Sequence, residues 1–123
     1  MVAAFVLIHG AWHGAWCWQR VIPLLEAKGH KVVAPDLPGL GEDKTDPALV
    51  TLADNVTSVG AALDEAGEKA ILVGHSLGGL TITQSGEIYP DRIAKLVYLT
   101  AFLPLDGEAR ADVVGPGAPP STR

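Results

Sequence analysis

Short apolar runs alternate along the chain with stretches of helical spacing. Four runs predict buried strands, at 3–8, 31–35, 69–73 and 93–99. Three segments between them predict helices, at 16–28, 51–67 and 77–88. A β-α-β-α-β-α-β order predicts an α/β fold, in which a parallel sheet of about four strands carries helices on both faces.

The helix signals differ in quality. Thr51 is a good N-cap, Asp54 stands three residues later as in a capping box, and Gly67 supplies a stop. The first predicted helix has Pro23 in or near its first turn and ends at Gly29. At helical spacing, one face of this segment is shared by Val21, Leu24, Leu25 and Lys28.

The character of the chain changes near its C-terminal end. Residues 107–123 are rich in glycine and proline and hold no aromatic residue, so we expect little regular structure there. The predicted organisation is therefore an α/β core over 1–106, followed by a tail over 107–123 that is either disordered or the start of a further subdomain.

Length and charge narrow the function classes. A chain of 123 residues is one domain or part of one, and 48% hydrophobic with 19% charged residues is ordinary globular composition. The net charge of −5 and the lack of a basic run argue against nucleic acid as a partner. The apolar opening run is too short to cross a membrane and lacks the features of a signal peptide. The single cysteine, Cys17, cannot form an internal disulfide, so we expect a cytoplasmic protein.

One motif carries nucleophilic chemistry. The segment Gly74-His-Ser-Leu-Gly78 fits the pattern G-x-S-x-G between a predicted strand and a predicted helix. In that context Ser76 is expected on a strained turn with its hydroxyl exposed, and Gly74 and Gly78 flank it because a Cβ would clash. The N–H of Leu77, at the start of the helix, is a candidate oxyanion donor.

A second loop complements this motif. His9-Gly-Ala-Trp12 directly follows the first predicted strand. The N–H of Ala11 is the candidate second oxyanion donor, Gly10 lets the backbone approach the acyl carbonyl, and Trp12 is expected to line the acyl pocket. Trp16 and Trp18 are expected to be packing residues, and Asp36 is expected to be structural.

Four stretches make the resemblance specific: VLIHGAWHGAW (6–16), PLLEAKGHKVV (23–33), ILVGHSLGG (71–79) and YLTAFLP (98–104). They resemble the small esterase and hydroxynitrile-lyase branch of the α/β-hydrolases, which includes plant methyl-ester esterases and bacterial carboxylesterases. The resemblance spans about residues 3–106. It implies a serine hydrolase with neither metal nor organic cofactor, with Ser76 as nucleophile and Ala11 and Leu77 as oxyanion donors.

Two other functions remain open. A lyase of the same branch tends to have threonine where this chain has Gly10, so that position favours the esterase. The third hypothesis is a non-catalytic scaffold that binds a small hydrophobic molecule, and it is favoured because the catalytic base is not evident. In this fold the order along the chain is serine, acid, histidine. The four histidines all precede Ser76, and Asp106 is a candidate for the acid.

We therefore expect the 123-residue chain to be impaired as an enzyme by itself, and to represent the N-terminal half of a longer hydrolase. The strand at 93–99 would then leave an apolar sheet edge open. Self-association, or pairing with a complementing segment, is expected there.

Overall fold

The structure is a computed structural model that describes residues 2–101. Its strands are β1 (Ala4–Ile8), β2 (Lys31–Val33), β3 (Ala70–Ser76) and β4 (Ile93–Ala101). Its α-helices are α1 (Ile22–Ala27), α2 (Leu52–Ala66) and α3 (Gly78–Ile88). Short 3-10 helices cover Ala15–Trp18, Pro47–Leu49 and Pro90–Arg92. Asp106 and the tail over 107–123 lie outside the described residues.

The four strands form one parallel sheet in the order β2-β1-β3-β4. This confirms the predicted α/β fold. The register pairs Ile8 with Gly74, so β1 and β3 end side by side at the same edge of the sheet. Because the carboxyl ends of parallel strands meet at one edge, the loops that follow β1 and β3 are neighbours there.

Each face of the sheet has its own apolar core. Alternate residues of β1 and β3 pack against α2 and α3, with Val6, Leu72 and Ile82 fully buried. The other residues of the same strands, such as Leu7 and Val73, pack against Trp18 and the α1 segment. This alternation is the period-two pattern of strands that are covered on both sides.

The ends of α2 follow the sequence prediction. The Thr51 hydroxyl accepts the Asp54 N–H at 3.2 Å, and the Asp54 carboxylate accepts the Thr51 N–H at 2.9 Å, which completes a capping box. Gly67 ends the helix in the left-handed conformation at φ 76°. The capping box and the glycine stop therefore fix the boundaries of this helix from local sequence alone.

The helix predicted over 16–28 is wrong in its extent. A 3-10 helix ends at Trp18, and α1 begins only at Ile22, because Pro23 has no N–H to donate and is accommodated in a first turn. Leu24 is 67% exposed, whereas Ile22 and Leu25 pack against the sheet.

Smaller differences concern strand ends. β2 ends at Val33, whereas β3 runs on through Ser76 and β4 through Ala101. The strand β3 therefore includes most of the glycine-flanked motif. Within residues 2–101, no helix is long and apolar enough to cross a membrane.

Candidate active site

Ser76 is the last residue of β3, and α3 begins two residues later at Gly78. Its backbone lies at φ 55°, a left-handed conformation that residues with a Cβ rarely adopt. Such strain persists only where the surrounding structure imposes it, and it is commonly found at functional sites. The strand-to-helix turn with a strained serine is the geometry that the G-x-S-x-G pattern predicts.

The two flanking glycines allow close packing of backbone. A Cβ at Gly74 would lie 2.9 Å from the Gly78 carbonyl oxygen and 2.9 Å from Ile82 Cδ1. A Cβ at Gly78 would lie 2.9 Å from the His9 carbonyl oxygen and 3.0 Å from that of Ile8. The glycines are thus required by the approach of α3 to the sheet and to the end of β1, rather than by side chains around the serine.

The loop after β1 lies directly against this turn. A Cβ at Gly10 would lie 3.0 Å from Ser76 Cβ, 3.0 Å from the His75 carbonyl oxygen and 3.4 Å from the Leu77 nitrogen. In the described part of the chain, neither Ala11 nor Leu77 donates its N–H to a carbonyl in a loop or turn. Gly10 therefore lies against the turn that holds Ser76 and Leu77.

Trp12 continues the loop at φ 61° and is 55% exposed. The carbonyl of Gly10 closes a turn by accepting the N–H of His13 at 3.3 Å. Trp18 is buried, as predicted for a packing residue, whereas Trp16 is 57% exposed and stacks on the His13 ring at 5.3 Å.

The histidines are held in other contacts. His9 is fully buried: its Nδ1 lies 2.8 Å from the Gly10 carbonyl oxygen, and its Nε2 accepts the Leu37 N–H at 3.0 Å. The His75 ring lies edge-on to the rings of His13 and Trp18. Within residues 2–101, no histidine ring forms a hydrogen bond with the Ser76 hydroxyl.

Two further polar groups bear on the chemistry. Asp36 Oδ1 accepts the Ala15 N–H at 2.7 Å and its Oδ2 accepts the Glu42 N–H at 3.2 Å, which is a structural role. Burial raises the pKa of the Cys17 thiol, so at neutral pH the thiol is a weaker nucleophile than an ordinary exposed cysteine. Cys17 therefore does not compete with Ser76 as the candidate nucleophile. Among residues 2–101, no group of three or more His, Cys, Asp or Glu side chains forms a metal-binding cluster.

The sequence missed the burial of His9. Its position directly after a buried strand was the available signal, but a histidine in a glycine-containing loop is equally compatible with an exposed ring. What decides the difference is the loop after β2, which covers the ring and supplies its Leu37 partner. That contact joins residues 28 apart in the chain and has no local signature.

Comparison with known proteins agrees with this geometry. Methylesterase 1 of Arabidopsis thaliana is 46% identical over 105 residues, and salicylic acid-binding protein 2 of Nicotiana tabacum is 48% identical over 103 residues. Each match covers 81% of this chain and 40% of the relative, so the chain spans about two fifths of the length of these relatives. A pyrethroid hydrolase from Sphingobium faniae JZ-2 superimposes with a TM-score of 0.83 at 40% identity, covering 97% of this chain and 47% of that one. The profile of the alpha/beta hydrolase family matches residues 5–123, and the chain belongs to that family.

Proposed function

We propose that this chain carries the nucleophile and oxyanion-hole half of a serine carboxylesterase that acts on small carboxylic esters. The observation that carries the proposal is the strained backbone of Ser76 at the junction of β3 and α3, with Gly10 of the β1 loop packed against it. The names of the similar proteins, a methylesterase and a pyrethroid hydrolase among them, support an ester as the substrate class.

In the proposed reaction, Ser76 Oγ attacks the ester carbonyl carbon while its proton passes to a base. The negative charge that develops on the carbonyl oxygen is stabilised by the N–H groups of Ala11 and Leu77. The C–O bond to the alcohol then breaks, and the alcohol leaves with the proton from the base. Water hydrolyses the acyl-enzyme, which releases the acid and restores Ser76. These steps require neither a metal nor an organic cofactor.

The base is the component that the described residues do not supply. His9 uses both ring nitrogens in contacts with the backbone, and the rings of His13 and His75 pack against aromatic neighbours. No histidine follows Ser76 in the 123 residues, and Asp106, the candidate for the acid, lies outside the described residues. We therefore expect slow turnover by the 123-residue polypeptide, with the base supplied by a further segment or a second chain.

A fluorophosphonate probe tests the nucleophile directly, because it reacts covalently with activated serines and the adduct is visible by intact mass. The 123-residue chain is incubated with the probe beside Ser76→Ala and the matched control Ser58→Ala, which removes a serine on α2 away from the site. We expect one slow addition to the wild-type chain and to Ser58→Ala, and none to Ser76→Ala.

Other outcomes separate the alternatives. Equal labelling of Ser76→Ala would refute the assignment of the nucleophile. Complete lack of labelling in folded wild-type chain would favour the non-catalytic scaffold that binds a small hydrophobic molecule. Rapid labelling would mean that a base is already present. Cleavage of a cyanohydrin without hydrolysis of an ester would favour the lyase, against which Gly10 argues.

The proposed location is the cytoplasm, on the ground that the only cysteine, Cys17, cannot pair within the chain. Fractionation of source cells with an antibody against the chain tests this. Recovery in the medium or in an organelle fraction would refute it.

A further inference from the structure

His9 follows β1 with its ring completely buried, and its two ring nitrogens contact two different loops. The backbone N–H of Leu37 can only donate, so Nε2, which lies 3.0 Å from it, is the unprotonated nitrogen. Nδ1 therefore carries the proton and donates it to the Gly10 carbonyl oxygen at 2.8 Å. The contact with Leu37 thus sets the tautomer that lets His9 hold the carbonyl of Gly10.

The hydrogen bond to the Gly10 carbonyl also constrains the N–H of the next residue, Ala11. The peptide that joins Gly10 to Ala11 is planar and trans, so its C=O and its N–H point in opposite directions. The carbonyl is fixed by two donors, His9 Nδ1 and the N–H of His13. Fixing the Gly10 carbonyl therefore fixes the direction of the Ala11 N–H.

We propose that His9 is a positioning residue for the oxyanion hole, which aims the Ala11 N–H through its hydrogen bond to the Gly10 carbonyl. The inference rests on the proposed function, in which Ala11 is an oxyanion donor. His9 touches no substrate in this role, and with both nitrogens engaged it is neither the base nor a metal ligand.

The loop after β2 supports the same arrangement. Leu37 is fully buried in the core beneath α2, so the N–H that it offers to His9 is fixed in place. On the far side of the loop after β1, Asp36 Oδ1 accepts the N–H of Ala15. Two successive residues of the β2 loop thus hold the β1 loop at both of its ends, at His9 and at Ala15.

Two substitutions at His9 separate positioning from a merely structural role. In His9→Asn the side-chain amide stands at the same distance from the backbone as Nδ1, so it can donate to the Gly10 carbonyl but not reach the Leu37 N–H. In His9→Gln the amide stands at the distance of Nε2, so its oxygen can accept the Leu37 N–H, while the Gly10 carbonyl loses its side-chain donor and keeps only the N–H of His13. Each variant loses one buried hydrogen bond, and a structural role alone predicts equal effects.

The probe is butylboronic acid: its boron accepts the Ser76 oxygen while the hydroxyl proton passes to the buffer, which gives a tetrahedral boronate with an oxygen directed at the oxyanion hole. Its adduct with the 123-residue chain is followed by ¹¹B NMR. His30→Leu is the matched control, because its Nδ1 also accepts a backbone N–H, that of Ala3 at 3.0 Å, near the opposite end of β1. The ¹⁵N-resolved amide signal of Ala11 is recorded in each variant without the probe.

We expect His9→Gln to bind the boronate at least about tenfold more weakly, since removing an oxyanion donor costs about a hundredfold or more in rate. His9→Asn and His30→Leu are expected to lose less than about threefold in boronate binding. The Ala11 amide signal should broaden or exchange faster only in His9→Gln. Equal effects of His9→Asn and His9→Gln on both readouts would overturn the proposal.

The failure of the proposed function is visible separately. If Ser76→Ala binds the boronate as well as the wild-type chain does, the nucleophile assignment fails. The Ala11 amide signal then still decides whether His9 fixes that peptide, since it is read without any ligand. An Ala11 amide that is unchanged in folded His9→Gln would refute the positioning role outright.

Discussion

The contact between Gly10 and the serine turn leads to a quantitative prediction for Gly10→Ala. Gly10 does not lie in the left-handed region, so the added methyl group introduces no backbone strain and acts only through its contacts. It would lie 3.0 Å from both Ser76 Cβ and the His75 carbonyl oxygen. These atoms belong to β3 and cannot rotate away, and carbon atoms pack at about 3.5 Å or more, so the β1 loop must retreat by about 0.5 Å.

That displacement has separate costs for reactivity and for stability. A misplacement of about 1 Å can cost about a hundredfold in rate, so about half that distance corresponds to about tenfold on a logarithmic scale. The crowding also lowers the free energy of unfolding. Overpacked sites lose about 1–3 kcal/mol, and we expect the lower end of that range because the loop has solvent on one side. We therefore expect the fluorophosphonate rate constant to fall about tenfold and the free energy of unfolding to fall by about 1 kcal/mol.

Gly67→Ala is the matched control for stability. Gly67 lies at φ 76° with no atom within 4 Å of its added Cβ, so alanine there costs about 1–2 kcal/mol through backbone strain alone. Urea unfolding should thus show similar decreases in the free energy of unfolding for the two variants, while probe labelling should slow only in Gly10→Ala. If labelling slows equally in both, the effect comes from general destabilisation, and the inferred contact between Gly10 and Ser76 is refuted.

Three further predictions concern the rest of the fold. In Gly60→Ala the new methyl group would lie 2.5 Å from Tyr89 Oη and displace the hydrogen bond that Tyr89 donates to α2. We expect the free energy of unfolding in urea to fall by about 1–2 kcal/mol, despite the better helix propensity of alanine. Gly86→Ala, which meets only the end of a leucine side chain, should be neutral or stabilising, and equal losses in both variants would contradict this. Hydrogen bonds from the side chain of Thr45 and from backbone N–H groups lower the pKa of Asp43 from 3.8 to about 2. The stability that Asp43 adds relative to Asp43→Asn should therefore be complete above about pH 5 and be lost progressively as the pH falls from there through about 2. A difference that does not change with pH would contradict this. We also propose that the 123-residue chain self-associates through β4, where Leu99 is 47% exposed at the edge of the described sheet. In sedimentation velocity, Leu99→Lys should then behave as a monomer. A monodisperse monomer of the wild-type chain would contradict the proposal.

Local signals account for much of what the sequence predicted. The capping box at Thr51 and the glycine stop at Gly67 need only neighbours in the chain, and α2 has the predicted ends. The same holds for the turn at Ser76, because an apolar strand, a glycine-flanked serine and a helix occur in immediate succession. Periodicity and local motifs were sufficient where the hydrogen-bonding partners lie within a few residues.

Predictions failed where distant contacts decide the outcome. The apolar spacing over 16–28 suggested one helix, but burial of Trp18 against the sheet and the restriction at Pro23 divide the segment in two. The buried face of α1 then depends on where the short helix begins, which the spacing alone could not fix. The full burial of His9 likewise depends on Leu37, 28 residues away. Propensity carries no information about such partners.

The alignment of the two halves of the candidate site depends on one non-local quantity, the register between β1 and β3. Because Ile8 pairs with Gly74, the loop that begins at His9 emerges beside the turn that holds Ser76. A slip of one residue would carry the loop along the strand by about 3.3 Å and turn its side chains to the opposite face of the sheet. The separate cores on the two faces oppose that slip, since it would exchange their residues. The packing of the sheet therefore does more than stabilise the fold: it sets the position of one proposed oxyanion donor relative to the proposed nucleophile, and His9 then sets its direction.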